Sequence, residues 1–177
     1  EAGDGHCRPE AFIETIAARM AALAQAYDGH KTQSPIEEML LGALVWLKMD
    51  WAGFPAVDFL SGPADHSNQF GPSDSLRFYI TPQAEIAGYR VDFLAWFQLK
   101  NFVAGIAVEC DGHAFHERTK EQAARDKSRD RAILTAGYPV MRFTGSEIFA
   151  GPSDCVDQIS EALSEALFRV SKDGGLF

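Results

Sequence analysis

At 177 residues the chain has the length of one ordinary domain, enough to bury roughly 70% of its unfolded surface without disulfide or metal staples. Its 46% hydrophobic and 23% charged residues are those of a globular protein, and no apolar run reaches the roughly 18 residues that a membrane helix needs. The formal net charge of −9 argues against a simple phosphate-binding surface, although six basic residues against four acidic ones gather between Glu117 and Arg131. Cys7, Cys110 and Cys155 are odd in number and show no zinc or CxxC spacing, so a reduced, cytoplasmic compartment is expected. No signal peptide is visible, and the chain opens at Glu1 rather than at a methionine.

Residues 9–27 read as a helix, because Phe12, Ile16, Met20 and Leu23 recur at helical spacing before a break at Asp28–Gly29. This helix makes residues 1–30 an N-terminal helical extension and leaves 31–177 as the main domain. Ser34-Pro35-Ile36-Glu37 is a helix start: serine suits the N-cap, proline the first turn, and glutamate at N3 completes a capping box. The helix that follows runs to about Met49 and is apolar nearly all round, which predicts burial on more than one side. Residues 50–74 are rich in Gly, Pro, Ser and Asp and predict a long irregular connection, such as a lid or a substrate-facing loop.

Three strands are expected next, over Ser75–Ile80, Glu85–Phe97 and Phe102–Asp111, the last two forming a hairpin. A second capping box at Thr119–Gln122 opens a helix that stops at Gly137. Pro139–Thr144 is a short strand, and Asp154 starts a final amphipathic helix with Val156, Ile159, Leu163, Leu167 and Val170 as its stripe. Helix, three strands, helix, strand and helix make an α/β (α+β) fold with a mixed central sheet flanked by helices.

The hairpin holds the chemistry. With Lys100 and Asn101 at the centre of its turn, Asp92 lies directly opposite Glu109. Opposed residues have Cβ atoms roughly 5 Å apart, and like charges there are destabilising. A divalent cation between them would relieve that repulsion. Mg²⁺ takes one or two carboxylates plus water and phosphate oxygens, so Asp92, Glu109 and the backbone carbonyl of Cys110 form a candidate metal site. Alternation puts Gly105, Ala107, Glu109 and Asp111 on one face, a pattern that suits a cleft approached by a ligand.

The motif Val91-Asp92-Phe93, the segment VECDGHAFH (108–116), the helix ARDKSRDRAIL (124–134) and the strand GYPVMRF (137–143) resemble the PD-(D/E)XK nuclease superfamily. Within it the chain is most similar to the branch of the very-short-patch-repair endonucleases and related endonuclease domains. The resemblance covers roughly residues 34–148. It implies a restriction-endonuclease-like αβββαβ core, Mg²⁺ (with Mn²⁺ as a substitute), a DNA substrate and phosphodiester hydrolysis. It also implies that Asp92 is the central metal ligand and Glu109 the second acid. The sequence departs from the pattern at Asp111, where the superfamily places a lysine. In the very-short-patch-repair branch that position and the one occupied here by His116 are both histidines, so half the pair survives. Lys127 could supply a relocated positive charge.

Among the remaining candidates, His116 could protonate a leaving oxygen or contact phosphate, and otherwise reads as a loop histidine satisfied by backbone. His113, Arg125 and Arg129 are phosphate-contact candidates, with a solvated, ion-paired helix face as the plainer reading of the arginines. Glu37 is accounted for by its capping box, and would serve the metal too only if that helix N-terminus faces the cleft. Cys110 reads as a small buried residue, and Trp46, Trp51 and Trp96 as core or interface. Two further functional readings stay open: a nuclease-fold module that binds nucleic acid or a protein partner without cutting, and a zinc hydrolase using His113, His116 and Asp111.

Overall fold

The computed structural model describes residues 32–48, 57–59, 73–100, 102–111 and 120–172, together with Glu14, Ala17 and Ala21. Those three isolated residues are helical and exposed; the rest of the helix expected over 9–27 lies outside the described residues, as do His113, His116, Trp51 and most of 50–74.

Helix α1 (Pro35–Lys48) starts at the Ser34 cap as its sequence requires, with Ser34 Oγ accepting the Glu37 amide at 3.2 Å. Strand β1 (Val57–Phe59) is a short ordered piece within the connection expected to be irregular. Strand β2 (Ser73–Ile86) then runs through Pro82, where the sequence predicted an end. Past Ile80 it has no described partner on its outer side, the edge position where a sheet tolerates proline. The turn to β3 (Tyr89–Lys100) falls at Ala87–Gly88, both at positive φ, so Glu85 and Ile86 belong to β2 and not to the next strand. Lys100 at φ 54 opens the turn to β4 (Phe102–Asp111), in the register expected from Lys100–Asn101: Leu99 pairs with Phe102 and Phe93 with Val108.

Helix α2 (Lys120–Thr135) leads through Gly137 at φ 93 to β5 (Val140–Thr144). The sequence did not predict the short α3 (Gly145–Ala150). Thr144 caps it, in a complete capping box with Glu147. The final helix α4 (Pro152–Lys172) buries Val156, Ile159, Leu163 and Leu167 as its stripe required, and its N-terminus precedes the expected one by two residues because Pro152 is well suited to a first turn.

The strands form one five-stranded sheet in chain order; β1 lies parallel to β2, β2–β3–β4 are antiparallel, and β5 lies parallel to β4. This is the mixed α+β core expected. On one face Phe93, Ala95, Phe97, Ile106 and Val108 pack with Leu40, Leu41 and Leu44 of α1 and with the α4 stripe. On the other, Tyr79, Leu94, Trp96 and Ala107 pack with Ile133 of α2. A Cβ at Gly105 would stand 3.0 Å from the Tyr138 ring. The small residues at 105 and 107 therefore admit Tyr138 and α2, and not a ligand. No helix among the described residues is long and apolar enough to cross a membrane.

Candidate active site

The sheet forks at one end. Pairing of β3 with β4 stops at Phe93↔Val108, although both strands continue. Residues 89–91 of β3 stay on β2, while Glu109, Cys110 and Asp111 stay on β5, opposite Arg142, Phe143 and Thr144. Asp92 stands on one arm of the fork, and Glu109, Cys110 and Asp111 on the other.

A reversal in side-chain alternation places Asp92 at the branch point. On β3, Phe93, Ala95 and Phe97 join the first core cluster, yet Val91 joins the second. On β2, Phe78 and Ile80 lie in the first cluster, while Ala84 and Ile86 lie in the second. The reversal falls at Gln83 and Asp92, and Gln83 has φ 52, a left-handed conformation rare for a residue with a Cβ. Asp92 consequently does not simply share the face of Glu109, as strict alternation implied. Its carboxylate reaches across the fork, and Oδ2 accepts the Cys110 amide at 2.7 Å.

That hydrogen bond orients the site. The Ala107 amide donates to the Pro139 carbonyl at 2.9 Å, on the β5 side. Successive residues of a strand address opposite neighbours, so the amide and carbonyl of Cys110 address the fork. Glu109 is buried, and its Oε1 accepts from Nη2 of Arg129 on α2. The same Nη2 donates to the Arg90 carbonyl at 2.5 Å. Each acid thus has one oxygen held by protein, while no described residue donates to Asp92 Oδ1 or Glu109 Oε2.

Burial pushes the Asp92 carboxyl above the usual carboxylate range, and the Glu37 and Asp111 carboxylates push it further, against the Cys110 amide and Arg129. Burial also raises Glu109, with Asp92 adding to it and Arg129 opposing. Both carboxyls are desolvated, Glu37 and Asp111 raise Asp92, and Asp92 raises Glu109, so the fork holds more negative than positive charge. That excess, the free oxygen on each acid and the fork-facing Cys110 carbonyl fit a hard divalent cation. Among the described residues no group of three or more His, Cys, Asp or Glu side chains is disposed to hold a metal. Asp92 and Glu109 would therefore need backbone, water and substrate oxygens to complete a coordination shell.

The other predicted residues divide. Glu37 is buried at the α1 N-terminus; it accepts from the Gln33 amide and Gln83 Nε2, both at 2.8 Å, and from Ser34 Oγ at 2.9 Å. Its charge reaches both Asp92 and Cys110, so this helix end does face the fork. Asp111 pairs with Arg142 at 3.5 Å, and Arg142 also holds Asp130 at 2.5 Å. Lys127 is exposed, and two helix positions from Arg129 puts it on a different side of α2. The cation brought to Glu109 is Arg129. Arg125 is also exposed. Burial and the surrounding carboxylates push the Cys110 thiol far up, which makes it a packing group and no nucleophile. The sequence reading missed Gln83; its only signal was the position across from Asp92.

Residues 74–163, just over half of the chain, match the family model REase_MTES_1575, a restriction-endonuclease-like family. The chain belongs to this family. REase_MTES_1575 membership agrees with the forked mixed sheet and supports a place in the nuclease superfamily. No curated protein and no solved structure matches the chain.

Proposed function

We propose that the protein is a Mg²⁺-dependent endonuclease that hydrolyses phosphodiester bonds of DNA. The observation that supports this reading is the fork itself. Asp92 is half-buried and Glu109 buried, the charge of the first raises the second, and each is tied by one oxygen, in a chain of a restriction-endonuclease-like family. Asp92 Oδ1, Glu109 Oε2 and the Cys110 carbonyl would hold the ion, for which Mn²⁺ would substitute. When bound, Mg²⁺ would polarise the scissile phosphate and acidify a bound water.

The chain's own residues do the remaining work. The Cys110 amide and Arg129 hold the two carboxylates in place, and Glu37 adds negative charge to the fork. Asp111, itself oriented by Arg142, aligns the water and takes its proton as the new P–O bond forms. The P–O bond to the departing sugar oxygen breaks with its electron pair, and His116 gives that oxygen a proton. Arg125 and His113 add phosphate contacts outside the fork. The likeness to the very-short-patch-repair branch, which rests on residues 108–116, and a cytoplasmic location belong to the same proposal; the thiols of Cys110 and Cys155 are free, as a reduced compartment would keep them.

One observation favours a second reading. Glu109 is already neutralised by Arg129, as it would be in a nuclease-fold module that binds nucleic acid or a protein without cutting. A cleavage panel of single-stranded, double-stranded and mismatched DNA and of RNA, with Mg²⁺, Mn²⁺ or EDTA, separates the two. Metal-dependent cleavage lost in Asp92→Asn supports the enzyme. Cleavage unchanged in that variant refutes the site.

A further inference from the structure

We propose that Arg129 links the two halves of the site, positioning Glu109 through Nη2 while its remaining N–H groups bind a non-bridging oxygen of the scissile phosphate. The inference rests on the nuclease reading above and assigns to one residue two tasks that separate groups would otherwise perform.

The geometry carries it. A guanidinium has five N–H donors in a rigid plane. Both donors of Arg129 Nη2 are spent, one on Glu109 Oε1 and one on the Arg90 carbonyl. These acceptors lie on opposite arms of the fork, Glu109 on β4 and Arg90 on β3. Two anchors on one nitrogen fix the plane, and no described residue accepts from Nη1 or Nε. The Arg129 side chain is one-fifth exposed, so the guanidinium is held in place without being closed off from solvent, beside an acid proposed to bind metal.

The chemistry asks for such a group. In-line attack on a phosphodiester adds one negative charge to the non-bridging oxygens, and Asp92, Glu109 and a dication together leave nothing positive to meet it. A preoriented guanidinium supplies that charge and matches phosphate geometry. Because the same group holds Glu109, phosphate binding at Arg129 and metal binding at Glu109 each stabilise the arrangement the other needs.

Lys127 provides the control, as an exposed cation of the same helix. Arg129→Gln, Arg129→Lys and Lys127→Gln would be compared by thermal melting, by Mn²⁺ calorimetry without nucleic acid, and by single-turnover cleavage of the best panel substrate at two salt concentrations. In Arg129→Gln we expect Mn²⁺ affinity to fall about ten-fold, as for a lost outer-shell partner. Cleavage should fall about a hundred-fold or more, as for a lost transition-state donor. Arg129→Lys should recover most of the Mn²⁺ affinity but stay more than about ten-fold below wild type in cleavage, because an ammonium lacks the fixed fork of donors. It also carries the test if Arg129→Gln melts below the assay temperature. Lys127→Gln should stay within about three-fold of wild type, its phosphate term being only an exposed charge. A cleavage loss under about ten-fold in either Arg129 variant overturns the proposal. So do equal losses in Arg129→Gln and Lys127→Gln that low salt restores. A wild-type protein that neither binds Mn²⁺ nor cleaves overturns the nuclease reading and this one together; an active wild type with normal Arg129 variants overturns this one alone.

Discussion

The Asp92 carboxylate accepts the Cys110 amide at 2.7 Å, across the point where β3 and β4 part. A regular antiparallel ladder would offer that amide the carbonyl of Val91. The carboxylate takes the carbonyl's place and satisfies a backbone donor that the fork would otherwise strand. One hydrogen bond thus closes the end of the ladder and aims the acid into the gap.

Neutralising Asp92 should stabilise the protein while ending its activity. The fold raises the Asp92 pKa, so it favours the protonated carboxyl. That contribution is complete below the ordinary value of 3.8 and is lost as pH rises through the folded value. At pH 7–8 the ionised group therefore costs stability. An asparagine oxygen can still accept the Cys110 amide. Asp92→Asn should melt about 2–4 °C higher at pH 8, the shift that roughly 1 kcal/mol produces in a domain of this size, and the gain should vanish near pH 4. Calorimetric melting across pH checks this, and a lower melting temperature at pH 8 contradicts it.

Glu109→Gln should differ from Asp92→Asn in size. Burial raises the Glu109 pKa as well, so the fold also disfavours its ionised form, but the ion pair with Arg129 opposes that and is lost in the glutamine. At pH 8 Glu109→Gln should therefore stabilise less than Asp92→Asn, by under about 1 kcal/mol. Urea unfolding of the two variants side by side measures the contrast. Equal effects would mean that the two acids share one environment.

Metal binding should weaken on acidification at higher pH than ordinary carboxylates would require. Both acids titrate above their usual range and must be ionised to ligate, so binding releases protons. Mn²⁺ affinity should fall progressively as pH drops from 8 towards 5. Calorimetry in buffers of differing ionisation enthalpy counts the protons; pH-independent affinity over that interval would remove the paired carboxyls from the site.

Gln83 should matter more than a surface glutamine. It holds φ 52 on β2 and donates Nε2 to Glu37 at 2.8 Å. Gln83→Ala loses a hydrogen bond to a charged group while keeping the strained backbone, and should cost about 1.5–3 kcal/mol. Gln83→Gly loses the same bond but relieves about 1 kcal/mol of left-handed strain, so it should be the milder change. Denaturant midpoints of both variants rank them, and the reverse order would show that the strain is not felt.

Much of the scaffold is legible locally. Ser34 and Glu37 mark the start of α1, the positive-φ requirement marks the turn at Lys100, and the stripe from Val156 to Leu167 marks α4. Each signal lies within a few residues of what it specifies. The turn at Ala87–Gly88 was misplaced because the β-rich run continues through it without a polar break, and α3 is too short to display a period. At the site, the acids were visible as opposed charges once the hairpin register was set. Arg129 was legible as a phosphate-contact candidate, but nothing local marked it as the partner of Glu109.

The amino-acid sequence by itself determined most of the order of elements and the hairpin register as far as Phe93 and Val108, because caps, turns and alternation are local properties of the chain. Only the tertiary structure decided that the ladder ends at Phe93, that Asp92 turns into the gap, that Asp111 goes to Arg142 and that Arg129, in place of Lys127, reaches Glu109. Those outcomes depend on where α2 settles on the sheet, a choice made by Ile133 and Tyr138 packing over Ala107 and Gly105. Packing between elements distant in the chain leaves no periodicity for a sequence to show.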